Sequence, residues 1–237
     1  MKSGKKFVAL LLALLLMLTL CACGGKKNEL LGTWSGSIDM APSLIDTIDS
    51  SLAVEKSGYD IPSYGDYLDS LPLRMTLELK EDGTYLQQAD AASIQEIKDK
   101  MFDSTVKYYY DVLPVIIDTE VKKAGMDVDV STVEKLEEYL GMDFDEIIEQ
   151  ILGTDMESYV QSILAEEDFD ELFEKEEGKY KVEDGKLFLS AGLEYNVDPK
   201  SYHPYSLKDG VLTLEANTIE VDDTERMLYP ISLRLVK

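Results

Sequence analysis

Two cysteines and one histidine among 237 residues leave little for the chemistries that depend on them. Both cysteines, Cys21 and Cys23, end an N-terminal apolar run, so the rest of the chain holds no disulfide, thiol nucleophile or cysteine zinc site. A catalytic triad or a multi-histidine metal centre has only His203 to draw on, and the neighbouring Pro204 marks a strand edge or turn. Basic residues are scarce: 23 stand against 47 acidic ones, and a net charge of −24 argues against a nucleic-acid partner. No glycine-rich phosphate loop and no metal-binding helix motif is present. Carboxylates are abundant enough to supply a glycosidase-like acid and base, but no motif selects a pair. These absences point away from an enzyme and imply no cofactor and no metal. Long apolar runs are also missing, since the longest, Phe7–Leu20, is short of the roughly 20 residues a spanning helix needs.

That run is nevertheless informative. Lys2, Lys5 and Lys6 precede it, and Leu20-Cys21-Ala22-Cys23-Gly24 follows it. A basic start, a short apolar centre and a small residue before the cleavage point make residues 1–22 a signal peptide. The junction resembles the bacterial lipobox, which implies that Cys23 is acylated and becomes the first residue of the mature chain. Cys21 fits less well, because bulky Leu20 would occupy the position before it. The expected location is extracytoplasmic, lipid-anchored to a bacterial cell membrane, more in keeping with a Gram-positive cell. Two or more acyl chains on one cysteine hold a protein firmly to the bilayer. Residues 23–30 then form a tether and 31–237 the folded part.

Three segments of that part share one pattern: an alternating apolar–polar run, an Asp-Gly pair and a second alternating run. They are centred on Asp82-Gly83, Asp184-Gly185 and Asp209-Gly210. Asp-Gly between such runs is a strong hairpin signal, because a type I′ turn needs positive φ at both central residues. With alternating runs near Trp34 and Leu233, eight strands are expected, at about 32–40, 72–80, 84–88, 178–183, 186–192, 202–208, 211–216 and 228–236. Eight antiparallel strands can close into an up-and-down barrel. All three tight turns are then even connections at one end, and the long odd connections crowd the other. The short tether places the trim end toward the membrane and the elaborated end outward.

Leu31-Gly32-Thr33-Trp34 resembles the opening of lipocalin-like (calycin) domains, whose Gly-x-Trp starts the first strand at the closed end. The resemblance implies an eight-stranded lipocalin-like barrel with a basic residue of the last strand packed across the tryptophan. Arg234 is the candidate, although its parity opposes that of Leu233 and Leu235. Trp34 is equally at home as a core aromatic.

Residues 89–177 interrupt the barrel with a helical period carried by Ile94, Ile97, Met101, Tyr108, Val112 and Val115. This insertion is strongly acidic: residues 89–178 hold 26 acidic and 7 basic side chains. Ser93…Glu96, Ser131…Glu134, Asp143…Glu146 and Thr154…Glu157 read as capping boxes, and Gly125, Gly141 and Gly153 as stops. Four or five helices are expected, with Pro114 kinking or splitting the first. Asp127, Asp129 and Glu138 have calcium-loop spacing, but Thr132 occupies the position where that loop requires glycine. The insertion is either a lid on the barrel mouth or a self-contained helical unit.

Met40, Tyr59, Tyr64, Tyr67 and Tyr85 are the candidate ligand contacts, because strand parity or the outward connections bring them toward the mouth. The consecutive Tyr108, Tyr109 and Tyr110 diverge on a helix, so at least one should face solvent. The sequence thus describes an anchored, non-enzymatic binding protein for a small apolar or amphipathic ligand. The alternative is a protein–protein interaction or envelope-assembly factor that uses the acidic helices.

Overall fold

A computed structural model describes residues 29–51, 59–166, 173–193, 199–217 and 226–236. Residues 1–22, expected to be a signal peptide, and Cys23 lie outside the described residues. In chain order the elements are β1 (Gly32–Asp39), α1 (Ala41–Ser51), a 3₁₀ turn (Tyr64–Asp66), β2 (Pro72–Leu79), β3 (Thr84–Ala89), α2 (Ala91–Lys123), α3 (Val133–Leu140), α4 (Phe144–Leu152), α5 (Met156–Glu166), β4 (Glu176–Glu183), β5 (Lys186–Ala191), β6 (Tyr202–Lys208), β7 (Val211–Leu214) and β8 (Ile231–Leu235). Every strand pairs antiparallel with its sequence neighbours, and β8 returns to β1 through Trp34↔Leu235 and Gly36↔Leu233, closing an eight-stranded barrel. Closure leaves no free sheet edge.

The short connections gather at one end. Asp184-Gly185 and Asp209-Gly210 each have positive φ at both residues, as a type I′ turn requires. Asp82-Gly83 differs from that expectation. Only Gly83 has positive φ, and its amide donates to the Lys80 carbonyl at 3.1 Å, so this hairpin turns through a longer loop ended by a left-handed glycine. Leu30 seals this end: it is fully buried, and its carbonyl accepts the Trp34 indole N–H at 2.8 Å. Leu79, Tyr180, Leu187, Leu212 and Leu233 fill the barrel above it, each such side chain contributing roughly 2 kcal/mol by burial. Arg234 is exposed on the outer face while Trp34 points inward. The calycin pairing expected of Arg234 is therefore absent, because neighbouring strand residues face opposite sides.

The helices form two further clusters. One joins α1, the following connection, the outer part of β2 and one face of α2, through Leu68, Leu71, Leu73, Ile97, Tyr108 and Val112. The other packs α3, α4 and α5 onto the opposite face of α2, around Leu136, Phe144, Ile148, Met156 and Val160. The 33-residue α2 continues through Pro114 rather than splitting, since side chains pack against both its faces. Stops fall as expected at Gly141 and Gly153. Three caps shift register: Asp90 caps α2, Thr132 caps α3 and Asp155 accepts from the Ser158 amide at the start of α5. Asp143 stands at the head of α4 without a side-chain cap bond.

Arg74 fastens the insertion to the barrel. Its guanidinium bridges Asp90 and Glu96, and its backbone carbonyl accepts the Asp90 amide at 2.8 Å. Asp118, almost buried, takes the Val130 amide and the Lys122 ammonium and so fixes the turn after α2.

Candidate functional site

The closed half of the barrel is filled, and the other half is hollow. A cavity of about 840 Å³ opens toward the long connections, within the size range of small-molecule sites. Its wall has two sides, which follow strand order. Over β7, β8, β1 and β2 the lining is apolar: Leu214, Ile231, Leu233, Ile38, Met75 and Leu77. Over β3 to β6 the polar groups collect: Gln87, Glu176, Ser190 and His203, with Tyr85 among them and Ser201 just before β6. Leu189 and Ala191 are the apolar members of that side.

Two pairs organise the polar side. The Tyr85 hydroxyl donates to Glu176 Oε1 at the rim. Burial, and then the adjacent carboxylate, push that phenol well above its ordinary range, so it remains a donor. Tyr85 needs room to lie there, and Gly178 provides it. A Cβ at residue 178 would stand 2.6 Å from the tyrosine ring and 2.1 Å from the Ser190 carbonyl oxygen. His203 stacks on Tyr229 with centroids 5.6 Å apart, and its Nδ1 lies 3.2 Å from the Tyr229 hydroxyl. Burial holds this imidazole below its usual 6.5, against an opposing hydrogen bond to the Glu215 backbone, so it is neutral at pH 7.

Of the five residues singled out in the sequence, Tyr85 lines the cavity. Met40, Tyr59, Tyr64 and Tyr67 instead pack beside α2 in the cluster outside the barrel. Tyr64 is buried edge-on against Tyr108 with its hydroxyl 2.9 Å from Thr105 Oγ1, while Tyr67 and Tyr59 donate to Asp111 and Glu120. They join the connection before β2 to the long helix. Tyr108, Tyr109 and Tyr110 diverge as expected, but none is fully exposed: they pack on Tyr64, Tyr159 and Phe144 respectively. The run with calcium-loop spacing is engaged internally, since Asp129 accepts from Ser131 and from Lys135 Nζ at 2.6 Å.

Gln87, Glu176, Ser190, Ser201, His203 and Tyr229 are the polar lining residues absent from the sequence candidates, as are the apolar ones. The signal available was parity: Gln87 shares a face with Tyr85, and Glu176 with buried Tyr180. No described residue of α2 to α5 lines the cavity, so those helices are not its lid. Leu228 and Tyr229, before β8, are what stands over one side of it.

Comparison of the chain with protein-family models, with curated proteins and with solved structures finds no match. Fold and site together define a closed up-and-down barrel, compatible with a lipocalin-like fold, with a two-sided cup at one end.

Proposed function

We propose that this protein is an extracytoplasmic lipoprotein that binds a small amphipathic molecule in the open half of its barrel and performs no catalysis on it. The observation that carries this reading is the 840 Å³ hollow with one apolar and one polar wall. A molecule bound across it loses apolar surface to water on one side and meets hydrogen-bonding groups on the other, the usual division of labour in small-molecule sites. The membrane attachment rests on the apolar run and on Cys23 with its small preceding residue. From Cys23 to buried Leu30 the chain makes seven residue steps, reaching at most ~25 Å. Leu30 sits at the closed end, so this tether holds the closed end toward the bilayer and presents the cup outward.

The direct test is titration of the chain from Lys26 onward, which contains every described residue, with the neutral apolar fluorophore N-phenyl-1-naphthylamine. Saturable enhancement that Ile231→Trp abolishes is expected, because the larger ring fills the cup. Equal enhancement in both proteins contradicts the site. For the anchor, cells fed radiolabelled palmitate should label the wild-type protein and not Cys23→Ser, and equal labelling of both, or of neither, contradicts it.

A second reading has its own support. The helical insertion builds a separate core and leaves Tyr139, Leu140 and Ile151 exposed at the ends of α3 and α4. Such side chains on an acidic unit suit a protein-contact surface, and pull-down that is lost on deleting 91–172 while fluorophore binding persists would favour it.

A further inference from the structure

Resting on the reading of the open barrel as a ligand cup, we infer that its ligand is a cation: a protonated amine carried on an apolar body. Among the described residues Glu176 is the one carboxylate in the cavity wall, and neither lysine nor arginine lines it. Tyr85 donates to one oxygen of that carboxylate, which leaves acceptor capacity facing the cup. Gln87 and Ser201 in the same wall can accept from an ammonium as well as donate, so the charge preference rests on Glu176. Tyr85 and Tyr229 also line the cup, and an ammonium placed over the free face of either ring is attracted by its quadrupole. His203, the one described lining side chain that could carry positive charge at physiological pH, is held neutral by burial.

The wider molecule acts in the same direction. The chain carries −24, and 26 of its acidic side chains fall in residues 89–178, which connect β3 to β4 at the open end. A field of that sign concentrates cations near the mouth and repels anions. A fatty acid entering the cup would place its carboxylate beside Glu176, with no basic partner among the described lining residues. The apolar strands opposite, from β7 round to β2, take the body of the molecule whatever its charge. Charge discrimination therefore resides in the polar wall, and affinity in the apolar one.

The experiment displaces bound N-phenyl-1-naphthylamine from the chain beginning at Lys26 with three twelve-carbon probes: dodecylammonium, 1-dodecanol and dodecanoate, all below their aggregation limits. Dodecylammonium should displace the fluorophore at the lowest concentration and dodecanoate at the highest. In Glu176→Gln the dodecylammonium affinity should fall about fivefold, the size expected for a solvent-accessible ion pair, while 1-dodecanol is unchanged. Raised salt should narrow the gap in the wild type. Dodecanoate displacing as well as dodecylammonium would overturn the cationic assignment and leave the cup intact. So would a dodecylammonium affinity unaffected by Glu176→Gln. Failure of the fluorophore and of all three probes to bind would overturn both the assignment and the cup.

Discussion

In the closed half of the barrel the inward positions are Trp34, Leu79, Tyr180, Leu187 and Leu212; in the open half they include Gln87, Glu176, Ala191 and His203. The same eight strands run through both halves. What differs is side-chain volume and polarity along each strand. The closed half behaves as a hydrophobic core, and the open half gives up that packing to hold a hollow. Stability and binding are thereby assigned to opposite ends of one sheet.

Truncation should separate the halves most sharply. Leu187→Ala removes a fully buried side chain from a filled interior and should cost about 3 kcal/mol of unfolding free energy in urea. Leu189→Ala, on the same strand but lining the hollow, should cost under about 1 kcal/mol, since it opens no new cavity. Equal losses would break the comparison. A smaller effect is expected at Gly178, where the open half is tight. Gly178→Ala brings a Cβ to 2.1 Å from the Ser190 carbonyl oxygen, and relieving that contact should cost about 2 kcal/mol and weaken fluorophore binding by displacing Tyr85.

Acid should act through the open half as well. His203 has a folded pKa below its unfolded value of about 6.5, so the unfolded state takes up the proton first. Stability therefore falls as pH drops through 6.5, and the decline ends once the folded histidine is itself protonated. His203→Gln should remove this component from a series of urea unfolding curves between pH 7.5 and pH 5, and an unaltered profile would contradict the assignment. The smallest expected effect is none: replacing 91–172 by a short linker should leave fluorophore affinity within about twofold, because no described residue of α2 to α5 lines the cup.

Much of this was legible before the fold was known. The Asp-Gly pairs and the alternating runs mark all eight strands, with ends within three residues of those observed, because alternation reports which side chains face inward. It does not report height. Whether Tyr85 or Met40 meets the hollow depends on how far each strand is staggered against its neighbours around a closed ring, which no local pattern encodes. The polar wall is hidden from local sequence for the same reason, as Gln87, Glu176 and His203 come together only once four strands are in register. Helix α1 carries a readable signal as well, with Ala41, Leu44, Ile45 and Ile48 at helical spacing inside the connection from β1 to β2. The displaced caps teach a further lesson. Asp90 and Ser93 are both good caps, and the choice between them is made by Arg74, whose carbonyl and guanidinium hold Asp90 against β2. Local sequence offered candidates there, and tertiary contact selected one.

Native mass spectrometry of the chain from Lys26 onward, purified gently from its own cells, tests the central claim most directly. A bound small molecule should appear as a discrete added mass, lost on denaturation and absent from Ile231→Trp. A spectrum in which the wild type carries no added mass, or in which Ile231→Trp retains the same one, would contradict the assignment of a ligand to the open half of the barrel.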